Sequence, residues 1–227
     1  MMEREPEPLP ESPRRQFREE LARLEDQALG ALDLVRTTLG RTMEALTERD
    51  IELAAIVIQD DDRIDGRYLE VHQGILSLLA LQAPVAGDLR IVAALLHVIK
   101  HAERMGDQCV NIAKLLPISG TEAPVVPEII DKIERMGALA RSEVSQSKQA
   151  FALRDVALAE DLVRQDEEIN VLNRDIFRRA VEVGTDPDTR EWAMTMMLVA
   201  RALERIGDNA VDVGEQLAFV VTGRAHL

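Results

Sequence analysis

The feature that most constrains this chain is an internal repeat. The segment Glu103-Arg104-Met105-Gly106-Asp107 returns as Glu204-Arg205-Ile206-Gly207-Asp208, and each copy is followed about one helical turn later by a valine, Val110 or Val211. An acidic segment precedes each copy in the same order, Asp61-Asp62-Arg63-Ile64-Asp65 in the first half and Asp166-Glu167-Glu168-Ile169-Asn170 in the second. Such self-similarity is the mark of one supersecondary unit used twice. Turn signals cut each half into three helical segments, at about 14–47, 50–81 and 86–116, then 127–152, 155–183 and 187–221. Segments near thirty residues exceed the usual globular helix, and long helices joined by short loops pack as antiparallel bundles. The expected fold is therefore all-α, two tandem antiparallel three-helix bundles with six long helices.

Prolines and glycines set the expected boundaries. Pro6, Pro8, Pro10 and Pro13 among charged residues make residues 1–13 a disordered or extended tail. The first bundle is expected over 14–117 and the second over 127–222. Between them, a linker at 118–126 lies in a stretch marked by Pro117, Gly120, Pro124 and Pro127. Gly184-Thr185-Asp186-Pro187 reads as a helix stop, a cap and a restart.

Composition narrows the class. Hydrophobic residues make up 46% of the 227, aromatic residues only 3%, which suits helix packing with Leu, Val, Ile, Ala and Met better than sheets. A net charge of −14 argues against nucleic acid as the main partner, since phosphate backbones demand basic patches. The single cysteine, Cys109, allows no internal disulfide and no CxxC metal site, and reads as a buried thiol. No basic region followed by an apolar one opens the chain, and the most apolar stretch, near Ile91–Ile99, is far too short to span a bilayer. A soluble, cytoplasmic protein is expected.

The repeated acids fall where apolar residues belong. At about 100° per residue, Glu103 lies close to Val92, Leu96, Ile99 and Val110 around its helix, with Asp107 and then Asn111 drifting to the edge of the stripe. Glu204 is flanked in the same way by Ala193, Met197, Ala200 and Val211, and Asp208 and Asp212 follow it. On the preceding helices Asp61 and Asp65 share a seam with Ala54, Val57 and Ile75, and Asp166 shares one with Leu162 and Ile169. Carboxylates at i, i+4 repel, and half-buried ones need an arginine, a proton or a metal ion beside them. Oxygen-only donors select hard cations such as Mg²⁺, Mn²⁺ or ferric iron. Against this stands a plain alternative: Arg104 and Arg205 lie beside the acids, and long helices carry solvated charged edges. The occurrence of nearly the same residues in both halves favours cation binding.

Other candidates read as structural. Gly106 and Gly207 each cost about 1 kcal/mol against alanine inside a helix, which close helix approach explains. His97 and His101 are four apart, but Val98 follows His97, so HExxH fails and the pair reads as surface histidines. His72 lies nearer the acidic seam and reads as a core or rim histidine. Glycine, rather than histidine, occupies the Glu-x-x-His offset after Glu103 and Glu204, which counts against a di-metal carboxylate enzyme. A purely structural scaffold that dimerises through its helices is the remaining alternative.

The chain resembles the PhoU family of phosphate-transport regulators over about residues 14–222. The resemblance is carried by the two ERxGD segments with Asn111 and Asp212, by Asp88-Leu89-Arg90 and by the acidic segments at 61–65 and 166–170. It implies a negative regulator of phosphate uptake and of the phosphate regulon. Such a protein couples the ATPase of a phosphate ABC transporter to a membrane sensor histidine kinase, with no nucleic acid partner. It also implies that iron or another hard cation sits on the ExxxD motifs, at Glu103 and Asp107 and at Glu204 and Asp208, joined by Asp61, Asp65, Asp166, Asn111 and Asp212. A non-catalytic homodimer is expected.

Overall fold

A computed structural model describes residues 13–81, 84–119 and 125–224. Seven α-helices account for nearly all of them: α1 (Pro13–Glu48), α2 (Ile51–Asp60), α3 (Asp62–Leu81), α4 (Ala86–Ser119), α5 (Pro127–Leu153), α6 (Val156–Glu182) and α7 (Pro187–Thr222). There is no strand among the described residues. The first unit is α1, α2–α3 and α4, and the second is α5, α6 and α7. The tail expected at 1–13 lies outside the described residues except for Pro13, which opens α1. Of the linker expected at 118–126, Ile118 and Ser119 complete α4, Val125 and Val126 precede α5, and 120–124 lie outside the described residues. Pro117 sits within the last turn of α4. Its fixed φ fits a helix, and only one backbone hydrogen bond is forfeited.

One turn is built identically in both units. Arg49 (φ 57°) and Arg154 (φ 56°) adopt the left-handed conformation that ends α1 and α5. The next residue then caps the following helix. The Asp50 carboxylate accepts from Leu53 N–H at 2.9 Å, and that of Asp155 from Ala157 N–H at 2.9 Å and Leu158 N–H at 3.2 Å. The restart at Asp186-Pro187 takes the expected form. Asp186 Oδ2 accepts from Thr189 N–H at 2.8 Å, and Pro187 occupies the first helical turn.

The second helix departs from the uninterrupted one expected. It breaks at Asp61, whose carbonyl accepts from both Ile64 N–H (2.8 Å) and Asp65 N–H (3.1 Å). Asp60, Asp61 and Asp62 are consecutive, and aspartate is a poor interior helix residue because its short carboxylate competes for backbone groups. Arg41 pulls Asp60 aside at 2.6 Å. The matching position in α6 has Asp166 between Gln165 and Glu167, and that helix runs unbroken.

The two bundles share one hydrophobic core, running from Phe17 and Leu24 in α1 to Val213 and Leu217 in α7. The most extensive helix pairing, α4 against α7, crosses between the units, and α1 also packs on α5. The acid-bearing helices of both halves are thus held back to back at the centre of the molecule. Glycines report how tightly. A Cβ added at Gly30 in α1 meets nothing within 4 Å, whereas one at Gly207 lies 2.5 Å from Asp166 Oδ1, 2.9 Å from Glu143 Oε2 and 3.1 Å from Ile169 Cδ1. Gly30→Ala is expected to stabilise the chain by about 1 kcal/mol, because only the helix preference changes. Gly207→Ala should destabilise it by ~1–2 kcal/mol, because three packed side chains must move. Paired urea denaturation curves check both signs.

Candidate functional site

Each ERxGD segment lies midway along the last helix of its unit, facing the acidic segment of the helix before it. In the first unit the approach is close: a Cβ at Gly106 of α4 is 2.9 Å from Ile64 Cδ1 and 3.1 Å from Asp61 Oδ1. Gly106 and Gly207 therefore serve the close approach read from the sequence, and what they approach is in each case an aspartate oxygen.

The acids face one another across these contacts. Burial pushes Asp61 up to about 6, helped by the charges of Asp65, Asp107, Asp62 and Glu103. Burial also raises Asp107, with Glu103 and Asp65 adding to it. The second unit repeats this. Asp166 rises to about 6 through burial and the charges of Asp208 and Glu204, partly offset by Asn170 Nδ2, which donates to Asp166 Oδ2 at 2.7 Å. Asp208 rises through burial and then through Glu204. The two glutamates lean toward cations on their own helices: Lys100 Nζ donates to Glu103 Oε2 at 2.6 Å, and Arg201 pairs with Glu204. These i, i+3 pairs leave both glutamates mostly buried, 19% and 13% exposed at the side chain, so they sit at the rim of their pockets rather than on an open edge.

Two residues expected at the site lie aside from it. Asp212 contributes to the field on Asp208, but its Oδ2 stands 3.4 Å from His101 Nδ1 of the other unit. Asn111 is exposed and lines a groove with Lys114, Leu198, Arg201 and Arg205. His101 corrects the surface reading of the histidine pair: it is 8% exposed, and its Nδ1 is 2.8 Å from Asn209 Oδ1 of α7. The face of α4 opposite the acidic pocket is covered by the second unit, which a helix considered alone cannot reveal. His97 is exposed as expected, and Cys109 is fully buried.

The sequence reading missed Glu143. It lies in α5, is 0% exposed, and neither of its carboxylate oxygens has a hydrogen-bond partner. Burial, followed by the charges of Asp166 and Asp208, pushes it up to about 8. Its Oε2 and Asp166 Oδ1, the latter also without a partner, converge on the space that Gly207 leaves open. The signal was available: steps of three or four from Ile129 through Ile133, Met136 and Ala140 reach Glu143 on the buried stripe of α5. Among the described residues no three His, Cys, Asp or Glu side chains already stand in a metal-holding arrangement. In the second unit the donor set nonetheless suits a hard cation: orphaned buried carboxylate oxygens of Glu143 in α5 and Asp166 in α6 meet over Gly207 of α7, with the more exposed Asp208 next to it in the chain.

A family model for the PhoU domain matches the chain twice, over residues 30–116 and 133–217. The chain belongs to the PhoU family. Each matched stretch lies within one of the two helical units, the first from within α1 to within α4 and the second from within α5 to within α7. A PhoU relative from Deinococcus radiodurans, named a phosphate-specific transport system accessory protein PhoU homolog, is 34% identical over 86% of this chain and 92% of its own length. One of the same name from Clostridium acetobutylicum is 29% identical over 93% of this chain and 96% of its own. The crystal structure of the phosphate transport system regulatory protein PhoU from Streptococcus pneumoniae superposes with a TM-score of 0.85 at 27% identity, covering 92% of this chain and 98% of that one. PhoU from Pseudomonas aeruginosa gives 0.83 at 25% identity. Among the described residues no helix is long and apolar enough to cross a membrane.

Proposed function

We propose that this chain is a non-catalytic accessory regulator of phosphate-specific transport. In this reading it acts in the cytoplasm as an adaptor between the ATPase of a phosphate ABC transporter and a sensor histidine kinase. The carrying observation is that the PhoU domain occurs twice across nearly the whole chain, and relatives of matching length bear the name of phosphate-transport accessory proteins. An adaptor needs exposed surface. A groove between α6 and α7 is lined by Phe177 and Leu198, 56% and 58% exposed, together with Arg174, Arg178 and Arg201. Exposed apolar area rimmed by polar groups marks interaction surfaces.

The acidic pockets are, in the same reading, cation sites. Glu103, Asp107, Asp61 and Asp65 hold the ion in the first unit, and Glu204, Asp208 and Asp166 in the second, with iron, manganese or magnesium as the fitting class. When bound, the ion supplies positive charge that neutralises the mutually repelling carboxylates and ties neighbouring helices together.

Deleting the gene and measuring phosphate-responsive expression at high phosphate tests the regulatory role. Derepression is expected, reversed by the wild-type gene and not by Phe177→Glu with Leu198→Glu. Repression that survives the deletion removes the regulatory reading.

A further inference from the structure

The two units differ at one buried position. Counting back eleven residues from the left-handed Arg154 leads to Glu143, and the same count from Arg49 leads to Thr38. Both side chains are buried in the first helix of their unit, at 0% and 8% exposure. The first unit thus places a neutral hydroxyl residue where the second places a carboxylate whose two oxygens have no hydrogen-bond partner. Glu143 is not on either ERxGD segment or either acidic segment, yet Oε2 points into the space over Gly207 that Asp166 Oδ1 also faces. A buried carboxylate with no donor around it is costly. A cation shared with Asp166 and Asp208 converts the same oxygens into ligands.

We propose that Glu143 is a cation ligand that makes the second unit a three-helix site, and that this unit holds a hard cation more tightly than the first. The idea rests on the cation reading above and adds to it a ligand from α5 and an order of filling. A third helix supplying a charged oxygen raises both ligand charge and preorganisation, the two quantities that tune affinity for hard cations.

The test uses the full chain, stripped with chelator and titrated with Mn²⁺ and, anaerobically, with Fe²⁺ by calorimetry, with native mass spectrometry for stoichiometry. Wild type is expected to show two classes of site. Glu143→Gln should weaken the tighter class roughly tenfold to a hundredfold. Glu103→Ala should remove the weaker class alone. Circular dichroism of metal-free Glu143→Gln confirms that it folds, and Glu143→Asp, which retracts the carboxylate but keeps the charge, should retain part of the affinity. If Glu143→Gln binds as wild type does while Glu204→Ala with Asp208→Ala abolishes the tight class, the pocket is a cation site without Glu143, and this inference fails alone. If wild type takes up neither ion, the inference and the cation reading both fail.

Discussion

In the presence of chelator, the stability of the wild-type chain should fall as pH rises from about 5 to about 9, and Glu143→Gln should remove much of that fall. The sign follows from proton binding. Glu143 is pushed up from the ordinary 4.5 to about 8, first by burial and then by Asp166 and Asp208. Below the ordinary value both folded and unfolded chains carry the proton. Between the two values the folded chain keeps a proton that the unfolded chain releases, so each step up in pH favours unfolding. Above about 8 the folded chain holds a buried, unpaired carboxylate and the penalty is complete. Glutamine has the same shape and nothing to titrate. The variant is therefore expected to match wild type near pH 5 and to exceed it by ~2 kcal/mol near pH 9, about 5 °C in melting temperature. Asp61 and Asp166, each raised to about 6, act in the same direction over the lower part of the range and remain in the variant. Parallel stability curves for the two proteins from pH 5 to 9 that never diverge would show that Glu143 is not held as the structure places it.

Phe151→Ala should be among the most damaging single truncations in the second unit, costing ~3–5 kcal/mol and lowering the melting temperature by about 10 °C. Phe151 is 0% exposed near the end of α5. The Arg154 guanidinium lies 5.0 Å from its ring centroid, and that same arginine donates to the Phe151 carbonyl at 2.6 Å and to Glu25 of α1 at 2.7 Å. The ring thus supports the turn that starts α6 and a contact between the two units. Truncation leaves a cavity that long, straight helices cannot close. Phe177→Ala is the control: the same deletion on an exposed side chain in the same unit should shift stability by less than about 0.5 kcal/mol. Urea denaturation followed by far-ultraviolet circular dichroism measures both, and similar losses for the two variants would contradict the core assignment.

Helix type, order and approximate bounds were legible because each is written in local chemistry. A 3.6-residue apolar period sets the helices, Asp50, Asp155 and Asp186 cap them, and Gly184 and Pro187 separate the last two. The duplication was legible because it is a property of the string itself. It also exposed the acids, since Glu103, Asp107, Glu204 and Asp208 interrupt an apolar stripe in matched places. The break at Asp61 was not legible: three adjacent aspartates weaken a helix without dictating where it yields, and α6 runs unbroken past the matching Asp166.

What the sequence determined by itself is the repeated helical unit and the acidic seam within each copy, because periodicity and repetition need no partner to be seen. Tertiary structure alone decided how the copies meet and what else enters the seam. His101 is buried because α7 covers the outer face of α4, and Asp212 is drawn toward it across that interface. Glu143 belongs to the second pocket because α5 turns that face inward beside Gly207. A helix periodicity reports that a residue is buried. Which side chains it is buried among depends on the packing of other helices, and that packing makes the two halves of a duplicated chain chemically unequal.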